Sequence, residues 1–205
     1  MKNNGLFIKL LAGQITTSFC IAMVINGGLG VFPITATNLA ICNWFCISYG
    51  VANMITEALA LSYSIYRGEK FGWATLLSLF TCGALIDLFM NVLPTSSLLI
   101  PLGLIGTPIG YAITGSCGMG ENATCMLQTA LQKQFNKSTG FIRTIMEICY
   151  LIIGVLGARS SVTWFSIVLS ATFGTIVNIV YKVMKYEPTK VVQEYIKLGL
   201  PKRIK

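Results

Sequence analysis

Six apolar stretches recur along the chain, at residues 10–26, 49–66, 72–93, 98–117, 140–157 and 162–182. Each has the length of a bilayer span, roughly 17–25 residues at 1.5 Å per residue. A spanning backbone must satisfy its own hydrogen bonds, so six transmembrane helices are predicted. Two interruptions stand out. "GLGVFPITATN" (28–38) follows the first stretch and "GMGENATCMLQ" (118–128) follows the fourth. Gly28, Gly30, Gly118 and Gly120 allow the tight turns that other residues resist. Pro33 fixes φ and removes a donor. Beyond each turn the chain becomes mildly amphipathic, with Thr35, Thr37, Asn38 and Asn43 in one case and Thr124, Gln128, Gln132 and Lys133 in the other. Each is predicted to be a turn plus a short helix, re-entrant or lying at the membrane interface. An ordinary external loop is the alternative.

The two interruptions belong to a repeat. A shift of 90 residues brings Gly28 and Gly30 onto Gly118 and Gly120, Phe45, Ser48 and Gly50 onto Phe135, Ser138 and Gly140, and Glu57 onto Glu147. After one inserted residue, Trp73 meets Trp164, Gly83 meets Gly174 and Asp87 meets Asn178. Each half then holds three spans, at 10–93 and 98–182. An odd number of spans per half sends the halves into the membrane from opposite sides, as an inverted-topology repeat. Such folds place a site near the midplane between the halves. The expected architecture is therefore an all-α, polytopic integral membrane protein: one membrane domain over 1–205, two inverted three-helix repeats, and a basic cytoplasmic tail at 183–205.

Composition supports the bilayer. The 205 residues are 54% hydrophobic and 11% charged, with a mean hydropathy of +0.72. A soluble domain carries about 25% charged residues. The first stretch, with Lys2 and Lys9 before it, resembles a signal peptide, but no A-x-A-like cleavage site follows. It is read as an uncleaved first span. The basic residues set the orientation. With the N-terminus cytoplasmic, thirteen of the fifteen Lys and Arg lie inside, Arg159 lies outside and Arg143 lies within a span. Both termini are then cytoplasmic, and the net charge of +8 reflects topology rather than nucleic-acid binding. The chain has no His, which excludes His-ligated metal sites and Ser-His-Asp catalysis. Its seven Cys include no C-x-x-C pair and read as small apolar residues. No metal or cofactor is expected. The G-x-G at 28–30 lacks the Lys and Ser/Thr of a phosphate loop.

Ionisable residues inside spans are costly and face protein or water. Four are predicted here: Glu57, Asp87, Arg143 and Glu147. Glu57 and Glu147 approach the midplane from opposite sides. Arg143 and Glu147 are four apart and share a helix face, as do Asn53 and Glu57. Arg143 and Glu147 are expected to form an ion pair, leaving Glu57 and Asp87 without a cationic partner. Glu57 is thus the candidate proton- or cation-responsive group, while Asp87, near the outer end, reads first as structural. Helix-to-helix adhesion is the alternative role for all four. The substrate- or ion-binding candidates are Glu57, Glu147, Arg143, Asn53, Thr35, Asn38 and Asp87. The turn residues Gly28, Gly30, Pro33, Gly118 and Gly120 are structural.

The stretch from "GGLGVFPITATNLAICNWFCISYGVANMITEALA" to "FGWATLLSLFTCGALIDLF" resembles the YczE/YyaS/YitT-type family of bacterial membrane proteins. The likeness rests on Gly28, Gly30 and Pro33, then Ser48 and Gly50, then Gly83, Ile86 and Asp87. It covers most of 10–93 and, more faintly, 103–182. The chain departs from the pattern at Thr35, where many members carry an acid, and at Ala84, where the pattern has Pro. The resemblance implies a multi-pass bacterial inner-membrane protein.

Three functions remain open. A small secondary transporter fits the repeat, the broken segments and the midplane carboxylates. Three acids against Arg143 favour a cationic or neutral solute, with proton coupling. The second reading is the substrate-binding membrane subunit of an energy-coupling-factor importer, which needs ATPase partners. The third is a non-transporting accessory or regulatory membrane protein. An enzyme is not expected, because no nucleophile–base pair is evident. The partners implied are the lipid bilayer and a small molecule or ion, with a homo-oligomer or ATPase partners as the open forms of assembly.

Overall fold

A computed structural model describes residues 2–69, 71–120, 122–137 and 139–184, with the backbone alone at helix residues 2–4, 139, 140, 174, 175 and 178. Ser138, the side chain of Asn178 and the tail from residue 185 onwards, all used in the sequence reading, lie outside this description. The described regular structure is helical: α1 (Lys2–Gly27), α2 (Pro33–Phe45), α3 (Tyr49–Tyr66), α4 (Trp73–Val92), α5 (Leu99–Gly115), α6 (Ala123–Phe135), α7 (Thr139–Gly157) and α8 (Trp164–Val183), with a 3-10 turn at Arg159–Ser161. Six of these helices fall on the six apolar stretches, and α2 and α6 are the two short helices predicted after the glycine turns.

Local chemistry explains where the helices begin. Pro33 is the first residue of α2, where a missing N–H costs nothing. The Ser48 hydroxyl caps α3 by accepting from Val51 N–H at 3.4 Å, and Asn122 Oδ1 caps α6 by accepting from Cys125 N–H at 3.2 Å. Thr163 caps α8, accepting from Phe165 N–H at 3.2 Å. Such caps satisfy donors that the helix itself cannot.

Among the described residues, two helices are long and apolar enough to cross a membrane, α1 from Gly5 to Gly27 and α4. α2 and α3 meet at 115°, and together they make a broken span or a re-entrant loop, which would bring the number to three. α5 is apolar but has only 17 residues, a rise of about 26 Å against a hydrocarbon core of about 30 Å. α7 and α8 run for 19 and 20 residues.

The helices pack in matched pairs. α1 lies along α5; α2 packs on α7 and α3 on α6; α4 packs on α1 and α8 on α5. The α1–α5 contact is close because Gly103, Gly106 and Gly110 of α5 face Cys20, Val24 and Thr17 of α1. At Gly50 and Gly83 the backbones of α3 and α4 also meet without side chains between them. The largest apolar cluster joins Val24 of α1, Phe32, Tyr49 of α3, Ile86 of α4, and Leu169 and Phe173 of α8.

The glycine turns are as tight as expected. Gly28 and Gly30 have φ of 72° and 136°, and Gly118 and Gly120 have 63° and 122°. The chain beyond Gly30 is fastened to α8: Val31 N–H donates to Ser166 Oγ at 3.1 Å, and the Thr163 hydroxyl donates to Leu29 C=O. A side chain at Gly30 would be strained and would also meet the Thr163 and Ser166 hydroxyls, whereas Gly28 faces open space. Gly30→Ala is therefore expected to lower stability by about 1–3 kcal/mol. Gly28→Asn should cost less than about 1 kcal/mol, since Asn tolerates the left-handed region. Thermal unfolding of the two purified variants in detergent checks this, and equal losses would contradict it.

Candidate functional site

Burial of polar groups between α2 and α3 builds the site. Tyr49, Asn53 and Thr56 stand at i, i+4 and i+7 on one face of α3, and Thr35 and Asn38 of α2 face them. Asn38 Nδ2 donates to the Tyr49 phenol oxygen at 3.2 Å and to Asn53 Oδ1 at 3.0 Å. The Thr56 hydroxyl donates to Asn38 Oδ1 at 2.8 Å, and Thr35 lies near the Tyr49 side chain. Thr35 and Asn38 are each only 1% exposed. The network leaves Asn53 Nδ2 buried without a hydrogen-bond partner. Burying an amide donor that way costs about 1–3 kcal/mol, so this atom marks a place where a polar group from elsewhere would be welcome.

Glu57 lies one turn beyond Asn53 on α3 and is buried. Its carboxylate reaches the start of α6. Ala123 N–H donates to Oε2 at 3.1 Å and the Thr124 hydroxyl donates to Oε1 at 3.0 Å. Ala123 is the first residue of α6, so the acid meets unpaired backbone donors and the positive end of a helix dipole. α3 itself carries no Lys or Arg to pair with Glu57. What takes that place is the N-terminus of α6.

Asp87 is held in the same manner. It sits on α4 and accepts from Gly50 N–H, in the first turn of α3, at 2.8 Å. Its role in the structure is to hold α3 on α4, next to the glycine contact of those helices. Arg143 and Glu147 form the expected i, i+4 pair on α7 at 3.5 Å, with both side chains partly exposed. Glu147 is the counterpart of Glu57 in the 90-residue register, but the counterpart of Ala123 is Pro33, which has no N–H to give.

Thr35, Asn38 and Asn53 thus come together, with Glu57 on the adjoining turn. Asp87, Arg143 and Glu147 bond elsewhere. Tyr49 and Thr56 escaped the sequence reading, although their 3.6-residue spacing with Asn53 was a usable signal. The Glu69–Lys133 ion pair at 2.6 Å, which ties the ends of α3 and α6, also escaped it. Its two members lie 64 residues apart, and no local pattern joins them. Among the described residues, no group of three or more Cys, Asp or Glu side chains could hold a metal ion.

A family described as one of unknown function (DUF6198) matches residues 6–180. The chain belongs to that family. The match takes in every helix that contributes to the polar cluster and to the Glu57 contact. No curated protein and no solved structure matches the chain.

Proposed function

We propose that this chain is a small secondary transporter of a cationic or neutral solute, coupled to protons, in a bacterial inner membrane. In this reading it has six spans in two inverted halves, α1–α4 and α5–α8, with α2 and α6 as the re-entrant segments and both termini in the cytoplasm. The narrower likeness to YczE/YyaS/YitT-type proteins is part of this proposal. Several regularities support the repeat. The positive-φ residues Gly28, Gly30 and Cys46 recur 90 residues later as Gly118, Gly120 and Asn136. The pairings of α2 with α7 and α3 with α6 are those that a twofold relation would produce. The thirteen-to-one distribution of basic residues supports the orientation.

The observation that carries the proposal is the Glu57 contact. A buried carboxylate of one half holds the N-terminus of the short helix of the other half, beside a polar cluster with an unpartnered amide. A proton or cation arriving at Glu57 competes with the Ala123 N–H and the Thr124 hydroxyl. Neutralising the carboxylate weakens charge-assisted bonds. That frees α6 to move against α3, which is the relative motion alternating access needs. A non-transporting accessory role is the second reading, favoured by how completely packing closes over Thr35 and Asn38.

Thr56→Cys in a background without native cysteines separates the two. Thr56 is close to Cys in size and lies in the cluster. A transporter should allow a membrane-impermeant maleimide to reach residue 56 from both faces, tested in right-side-out and inside-out vesicles, with the balance shifting with pH. A folded protein that stays unlabelled from both faces would overturn the transporter and favour the accessory role. Stoichiometric copurification of ATPases would instead favour the energy-coupling-factor subunit.

A further inference from the structure

A second site lies away from the polar cluster, in a groove of about 460 Å³ between α6 and α7. Leu127, Leu131 and Phe135 line it from α6, and Ile145 and Cys149 are among the residues lining it from α7. At one end stands Lys137, exposed in the turn that joins the two helices. We propose that this groove holds one acyl chain of an anionic phospholipid, with Lys137 against the headgroup phosphate. The inference rests on the chain lying in a bilayer and is independent of the solute site.

The polarity of the groove matches that of a lipid. Its walls offer almost nothing to hydrogen-bond, so a polar solute would lose its water without compensation. Its cationic end lies at a helix–helix turn, and its apolar part runs along α7 away from that turn. From Phe141 to Cys149 the helix rises about 12 Å, close to the depth of one leaflet of a core about 30 Å thick. The volume lies within the range of small-molecule pockets, about 300–1,000 Å³. Charge decides the class of lipid. Lys133, on the last turn of α6, is engaged by Glu69, while Lys137 extends into the mouth of the groove. A lysine near the membrane surface favours anionic over zwitterionic lipid by about five-fold.

The test uses the full chain, purified in a mild detergent, stripped of lipid and then offered equimolar phosphatidylglycerol and phosphatidylcholine with identical chains. Native mass spectrometry reads the bound fraction of each. The expected result is about five-fold more phosphatidylglycerol than phosphatidylcholine. Lys137→Gln should bring the two close to equal, and Ile145→Trp, which fills the groove from an exposed position, should reduce both. Equal binding by the unaltered protein would overturn the proposal, as would a preference that survives Lys137→Gln or occupancy unchanged by Ile145→Trp. A dimer cross-linked through residues of the groove would assign it to a second copy of the chain instead. None of these outcomes bears on the accessibility of residue 56, so this proposal and the transporter reading fail separately.

Discussion

Glu57→Ala is expected to destabilise the folded chain by about 3–5 kcal/mol, the largest effect of any single polar substitution in it. The change removes both acceptors at once. Ala123 N–H lies at a buried helix start and has no partner within α6, because the first donors of a helix never do. The Thr124 hydroxyl loses its acceptor as well. Hydrogen bonds to a charged group contribute about 1.5–3 kcal/mol each. Glu57→Gln keeps the shape and one acceptor but turns an NH₂ towards the second donor. It should cost about half as much as the alanine change. Glu147→Ala provides the contrast. Its pair with Arg143 lies within one helix and ties no second segment, so its loss should cost less than loss of the Glu57 contact. Unfolding of the three variants in one detergent gives the order Glu57→Ala, Glu57→Gln, Glu147→Ala. If Glu57→Ala unfolds at the same temperature as the unaltered chain, the contact with α6 is not the one described, and the proposed transport mechanism loses its gate.

The second large effect concerns the contact between α1 and α5. A Cβ at Gly110 would lie 2.7 Å from the Thr17 backbone nitrogen and 3.0 Å from its Cα, and one at Gly103 would lie 2.7 Å from the Cys20 carbonyl oxygen. Backbone cannot rotate out of the way as a side chain can. Overpacking a fixed contact costs about 1–3 kcal/mol per site and sometimes more. Gly110→Val should lose at least that much. Combined with Gly103→Val it should prevent recovery of folded protein, since small residues are what let membrane helices approach closely. Gly5→Val is the control, because nothing lies within 4 Å of that position. Size-exclusion profiles and unfolding temperatures decide. A double variant as stable as the control would mean that α1 and α5 are not held by this glycine stripe.

Much of the architecture was legible along the chain because its causes are local. Helix periodicity and apolar runs located the helices. Pro33 and the paired glycines located the turns, since positive φ and a missing N–H act on the residue itself. The i, i+4 spacing of Arg143 and Glu147 predicted their pairing for the same reason. The polar cluster was half legible: Asn53, Asn38 and Thr35 stand out in the sequence, and the helical spacing of Tyr49 and Thr56 with Asn53 puts them on the same face, but which helix that face meets was decided when α2 folded back onto α3.

What only the tertiary structure decided is what each buried acid meets. Glu57 and Asp87 look alike in the sequence, as carboxylates in apolar runs. Folding brings one to the start of α6, 66 residues away, and the other to the start of α3, 37 residues away. The difference between Glu57 and Glu147 is also tertiary. It depends on whether the facing helix begins with a residue that has an N–H, Ala123, or with one that has none, Pro33. Local sequence determines which backbone forms a helix and where it must turn. It leaves unspecified which helix end a buried charge will face, because that energy is realised only when distant segments exclude water together.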